Sequence, residues 1–105
     1  MKKLKFLDLE ALQALNENSI RAGRSQHLRP DRLLKLKRGR YNLNFQVEHE
    51  WAGQPDVRVC VVLNINGQTA WLDVSPEEFA ATPEMDATEL EWEAVMCAGN
   101  PPPAP

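Results

Sequence analysis

The chain has 105 residues, 43% of them hydrophobic and 26% charged, the proportions of an ordinary soluble globular domain. That length is enough for one buried core and too short for two. A formal net charge of −3 conceals a steep asymmetry. Residues 1–40 hold eleven Lys/Arg against four acids, whereas residues 41–105 hold one base, Arg58, against eleven acids. Such a division implies two halves that neutralise each other, or partners of complementary charge.

The opening residues, MKKLKFLDLEAL, start like a secretory leader, but Lys5, Asp8 and Glu10 break the apolar run before a hydrophobic region forms. No apolar run approaches the ~20 residues of a membrane span, so a cytoplasmic location without a membrane partner is expected. Cys60 and Cys97 lack CxxC spacing and clustered histidines. Two reduced thiols are the expectation, not a disulfide.

Residues 2–7 alternate briefly and read as an edge strand or as the lead-in to a helix. Asp8 then has the side chain to cap a helix, and Leu7 and Leu12 have the spacing of a hydrophobic staple. Leu9, Leu12 and Leu15 form an apolar stripe that predicts a helix over 9–22, stopped by Gly23. Residues 23–30 form a polar loop. Pro30 suits a first helical position and favours a short helix over 31–38 with Leu33 and Leu36 inward. The rival is a strand with Leu34 and Leu36 inward.

Residues 41–74 read as a three-stranded antiparallel meander. Tyr41, Leu43, Phe45, Val47, His49 and Trp51 alternate with polar residues, the pattern of a half-buried strand. Residues 52–55 form a short connection, and a second strand follows over 57–65. Asn66-Gly67 suits a two-residue type I′ turn, which pairs Leu63 with Ala70, Val61 with Leu72 and Val59 with Val74 on one apolar face. The other face then pairs Asn64 with Thr69, Val62 with Trp71, Cys60 with Asp73 and Arg58 with Ser75.

Ser75-Pro76-Glu77-Glu78 is a capping box with proline in the first turn. It predicts a helix over 76–81 that lays Phe79 on the sheet. In 87–97, the alternation of Glu89, Glu91 and Glu93 with Leu90, Trp92 and Ala94 favours a fourth strand; composition, and a box of Asp86 with Glu89, favour a helix. The strand is preferred on its strict alternation. The proline-rich residues 98–105 read as a mobile tail. The expected fold is α+β: a three- to four-stranded antiparallel sheet with an N-terminal helix and one or two short helices on one face. Residues 1–97 form a single domain.

No nucleotide-binding glycine motif occurs, and two isolated histidines, His27 and His49, do not make a zinc site. His49 and Cys60 suggest a base and a thiol, but alternation puts them on opposite faces, out of the contact that catalysis needs. No catalytic residue, metal or cofactor is expected. Two surfaces remain as candidates. Val62 and Trp71, rimmed by Arg58, Asn64, Thr69 and Asp73, would form a small protein-binding patch if the helices left their face open. Arg21, Arg24, Arg29, Arg32, Lys35 and Arg38 would form an anion or nucleic-acid surface, although the sequence pI of about 5.3 is not that of a typical nucleic-acid domain. The expectation is a non-enzymatic protein-binding module, an adaptor, chaperone or regulator, with a nucleic-acid-binding regulator as the alternative. A homodimer through a sheet edge is compatible with the meander.

Overall fold

The computed structural model describes residues 2–24, 28–64 and 68–97, and only the backbone course at 44–47, 49 and 51. The elements are β1 (Lys3–Asp8), α1 (Leu9–Arg21), α2 (Pro30–Leu33), β2 (Arg40–Trp51), β3 (Gln54–Val62), β4 (Thr69–Val74), α3 (Pro76–Ala81), β5 (Glu84–Asp86) and α4 (Glu89–Cys97). The five strands form one antiparallel sheet in the order β4-β3-β2-β1-β5. The α+β class and the antiparallel meander are as the sequence indicates, with one strand more than expected. β1 is an inner strand, not an edge, because β5 pairs along its far side.

Local chemistry accounts for the helix starts. The Asp8 carboxylate accepts from the Ala11 N–H at 2.8 Å, satisfying a free donor of the first turn of α1. Gly23 at φ 75° donates its N–H to the Ile20 carbonyl and ends that helix. α2 is a single turn behind Pro30. Leu33 is buried and Leu36 half-buried, while Leu34 is 81% exposed, which excludes the strand reading of this segment. At α3 both bonds of the Ser75–Glu78 capping box are present.

The hairpin β2–β3 turns at Ala52-Gly53, with Trp51 opposite Gln54. Both turn residues have positive φ, 49° and 78°, as a type I′ turn requires. β3 therefore starts at Gln54 and ends at Val62, three residues earlier at each end than the expected 57–65. Between β3 and β4 the ladder pairs Val61 with Ala70, Val59 with Leu72 and Val57 with Val74. The expected register is displaced by two residues. Leu63 donates to the Gln68 carbonyl at 2.7 Å, and the Asn64 and Gln68 side chains close the loop at 2.7 Å, so the connection is longer than a two-residue turn. Asn66 and Gly67 lie outside the described residues. A displacement of two leaves every side chain on its expected face, because the period of a strand is two.

The N-terminal helix and the short helices α2 and α3 pack on one face of the sheet, as expected, and α4, expected as a strand, covers the other. Leu12, Leu28 and Leu33, with Leu9, Leu15, Leu36 and Phe79, pack on Tyr41, Leu43, Val59, Val61, Leu72 and Val74. On the other side Ala94, Val95 and Trp92 of α4 pack on Leu4, Phe6, Cys60 and Val62. Residues 89–97 are helix, not a fourth strand. Thr88 and Glu91 form the capping box that starts them: the Glu91 N–H donates to the Thr88 hydroxyl at 3.1 Å and the Thr88 N–H to the Glu91 carboxylate at 2.9 Å. Leu90, which a strand would bury, is 60% exposed.

Candidate functional site

Arg58 and Asp73 stand directly opposite on β3 and β4. They form a two-pronged ion pair, Nε to Oδ1 at 2.8 Å and Nη2 to Oδ2 at 3.1 Å. Arg58 is 1% exposed and Asp73 0%, so neither rims a surface. Val62 is buried in the α4-facing cluster, opposite Thr69 and Asn42 and not opposite Trp71. Trp71 is half-buried against the same cluster and pairs with Cys60. Burial pushes the Cys60 thiol up, partly offset by its hydrogen bond with the Thr69 side chain, which is the behaviour of an inert core thiol. Cys97 is exposed, and both cysteines are free. Of the six residues expected to form a patch, only Asn64 is exposed. The open Val62/Trp71 face does not exist, because α4 occupies it.

The cationic set divides. Arg24 bonds Asp56 at 3.0 Å and approaches Glu78 at 3.8 Å, with its side chain only 16% exposed. Arg21 and Arg29 make loose, exposed pairs with Glu17 and Asp31 at 4.0 and 3.6 Å, a kind worth little. Arg32, Lys35 and Arg38 are exposed. They do not share a helix face, because α2 ends at Leu33. Arg40, beyond that set, pairs with Glu91 of α4 at 2.6 and 2.8 Å, donates to the Asp86 carbonyl at 2.9 Å and lies 4.0 Å over the Phe6 ring. The basic and acidic halves thus neutralise each other at Arg24 and Arg40.

His49 lies beyond a bulge between Asn44 and Val47. That bulge interrupts the uniform alternation expected over 41–51 and removes the face argument against pairing His49 with Cys60. Distance replaces it. His49 stands opposite Asp56 and Cys60 opposite Asn44, four β3 residues apart, or roughly 13 Å at the rise of a strand. A cleft of about 700 Å³ lies between Glu48, Glu50, Asp56 and Phe79. Its deepest carboxylate, Asp56, is the one held by Arg24. Among the described residues no group of three His, Cys, Asp or Glu could hold a metal ion, and no helix is long and apolar enough to cross a membrane.

Among the described residues β4 ends the sheet, and no strand pairs with its outer side. The bond from Leu63 N–H to the Gln68 carbonyl sets the phase of the β3–β4 ladder. Gln68, Ala70, Leu72 and Val74 turn their backbone groups toward β3, and Thr69, Trp71 and Asp73 turn theirs outward. Strand order supplies this edge. The only trace of it in the sequence is that the segment 69–74 contains no proline, lysine or glycine to protect it.

Two substitutions probe the interior. Removing either Asp73 or Arg58 with alanine strands a buried charge and should lower stability by about 3–5 kcal/mol in urea unfolding, whereas the double variant Arg58→Met/Asp73→Leu should recover most of the loss. Arg40, hydrogen-bonded to Glu91, holds that carboxyl below the usual range against an opposing effect of burial, with Thr88 assisting. A folded pKa below the unfolded value, about 4.3, means that this contribution is complete above that pH and is lost as pH falls through the folded value. In urea melts from about pH 5 downward, Glu91→Gln should show a shallower acid-induced loss than the parent; the difference should be modest, because both side chains are partly exposed. The chain matches no protein-family model, no curated protein and no solved structure.

Proposed function

We propose that the protein is a non-catalytic binding module that takes a partner protein by strand addition along the outer edge of β4. The supporting observation is the phase of that edge: Thr69 and Trp71, both partly exposed, turn donors and acceptors to a side that no strand of the described chain pairs, whereas Asp73, 0% exposed, is closed to a partner. An added strand satisfies them with backbone hydrogen bonds, and the half-buried Trp71 supplies an aromatic contact beside them. The edge lacks the lysine, proline and bulge by which edge strands usually refuse partners. Burial of Val62 and the Arg58–Asp73 pair moves the binding surface from the face of the sheet to its rim.

The alternative, a nucleic-acid-binding regulator, is favoured by one observation, the exposure of Arg32, Lys35 and Arg38. Phosphate contacts by these cations would weaken steeply with salt, whereas strand addition through backbone groups would not. Immobilised protein should therefore retain a partner from native lysate at both low and high salt. It should lose that partner on Thr69→Pro, which removes an outward N–H at the first residue of β4 without touching the ladder to β3. Retention that persists in Thr69→Pro but fails at high salt and in Arg32→Ala/Lys35→Ala would replace the edge reading with the nucleic-acid one.

A further inference from the structure

α4 is apolar on two sides. Ala94 and Val95 are buried against the sheet, while Glu89, Leu90, Glu93, Met96 and Cys97 are exposed. Glu93 lies three or four residues from each of the others, so the five form one outward stripe of the helix. Within it Leu90 is 60% and Met96 65% exposed. A helix with apolar residues on opposite sides has the pattern of one covered on both. Its complement lies elsewhere on the same chain. In the basic segment Leu33 is buried and Leu36 half-buried, whereas Leu34 is 81% exposed between the exposed Arg32 and Lys35. The Leu34 and Lys35 N–H groups donate to the Pro30 and Arg32 carbonyls at 3.2 and 3.1 Å, which continues the turn begun by α2 through these residues. Arg29, Lys37 and Arg38, also exposed, extend the positive charge.

We propose that the outward stripe of α4 docks on residues 29–38 of a second copy, with Leu90 and Met96 meeting Leu34, and Glu89 and Glu93 meeting Arg32 and Lys35. Charge selects this pairing over the symmetric ones. Two α4 stripes face to face would set glutamates against glutamates, and two basic segments would set cations against cations. One copy cannot make the contact by itself. Leu33 and Leu36 anchor the basic segment in the cluster on one face of the sheet, and Ala94 and Val95 anchor α4 in the cluster on the other. Among the described residues four large apolar side chains are exposed, and this contact covers three of them, all but Met85. The contact is heterologous, so copies add head to tail. One side of a nine-residue helix, roughly 13 Å long at 1.5 Å per residue, is smaller than the ~800 Å² per partner of a standard interface. The association is therefore weak, and its exposed ion pairs make it salt-sensitive. It uses a surface separate from the edge of β4.

Sedimentation of the full chain over a concentration series at low and high salt tests this. Wild type is compared with Glu89→Lys/Glu93→Lys, with Arg32→Glu/Lys35→Glu and with an equimolar mixture of the two variants. The expected wild-type mass rises with concentration at low salt and falls to the monomer at high salt. Each variant alone should be monomeric. The mixture should associate again, because the intact α4 of one variant meets the intact basic segment of the other. All four substituted side chains are exposed, so unfolding midpoints should stay near the parent's. Glu89 stands in the first turn of α4; should its reversal unfold the helix, Glu93→Lys alone takes its place with the same expectation. Thr69→Pro, at the β4 edge, should associate as wild type does. Association that survives both reversals, or is lost in Thr69→Pro alone, overturns the pairing of α4 with 29–38, as does a mixture that stays monomeric. A wild type that is monomeric at every concentration overturns the second copy as occupant, and a basic peptide or DNA bound by that monomer then gives the surface to another partner.

Discussion

The ion pair between Arg58 and Asp73 decides how the second half of the chain is assembled. Two registers of β3 against β4 alternate equally well, since they differ by two residues and bury the same faces. In the register implied by a tight turn at Asn66-Gly67, Arg58 faces Ser75 and Asp73 faces Cys60. Both charges would then be buried without their partner, at a cost of several kcal/mol for each. In the observed register they meet with two short bonds. The hydrophobic pattern chooses the faces, and the buried charges choose the pairing.

That register also fixes which backbone groups of β4 look outward, and α4 makes the outward edge matter. With α1, α2 and α3 on one side of the sheet and α4 on the other, little apolar strand surface is left to bind through. The Arg40–Glu91 pair, stacked over Phe6, ties the last basic residue of the first half to the helix that closes the second face. The charge asymmetry of the sequence is thus partly a folding device, and the cations of 29–38 are among those left at the surface.

Elements governed by local chemistry were legible in the sequence. Asp8 and the Ser75–Glu78 box announce α1 and α3 because a cap is an interaction within four residues. Elements governed by what lies opposite were not. The alternating glutamates of 89–97 suit a strand as well as a helix, and the deciding box, Thr88 with Glu91, lies two residues past the one suggested by Asp86 and Glu89. Mistaking that helix leaves the second face bare and turns Val62 and Trp71 into a surface patch. The bulge at 44–47 breaks no alternation in the sequence. The open edge of β4 is a property of strand order, to which the residues of β4 contribute only the absence of protection.

Over Thr69–Trp71 the edge strand β4 alternates between backbone groups bonded to β3 and groups turned to an open side. Amide hydrogen exchange residue by residue along 68–74 in dilute protein tests it most directly. Slow exchange is expected at Ala70, Leu72 and Val74, which are bonded to β3, and fast exchange at Thr69 and Trp71, which turn outward and are partly exposed. Uniform protection along the strand in dilute solution would contradict it, as would protection with the opposite phase.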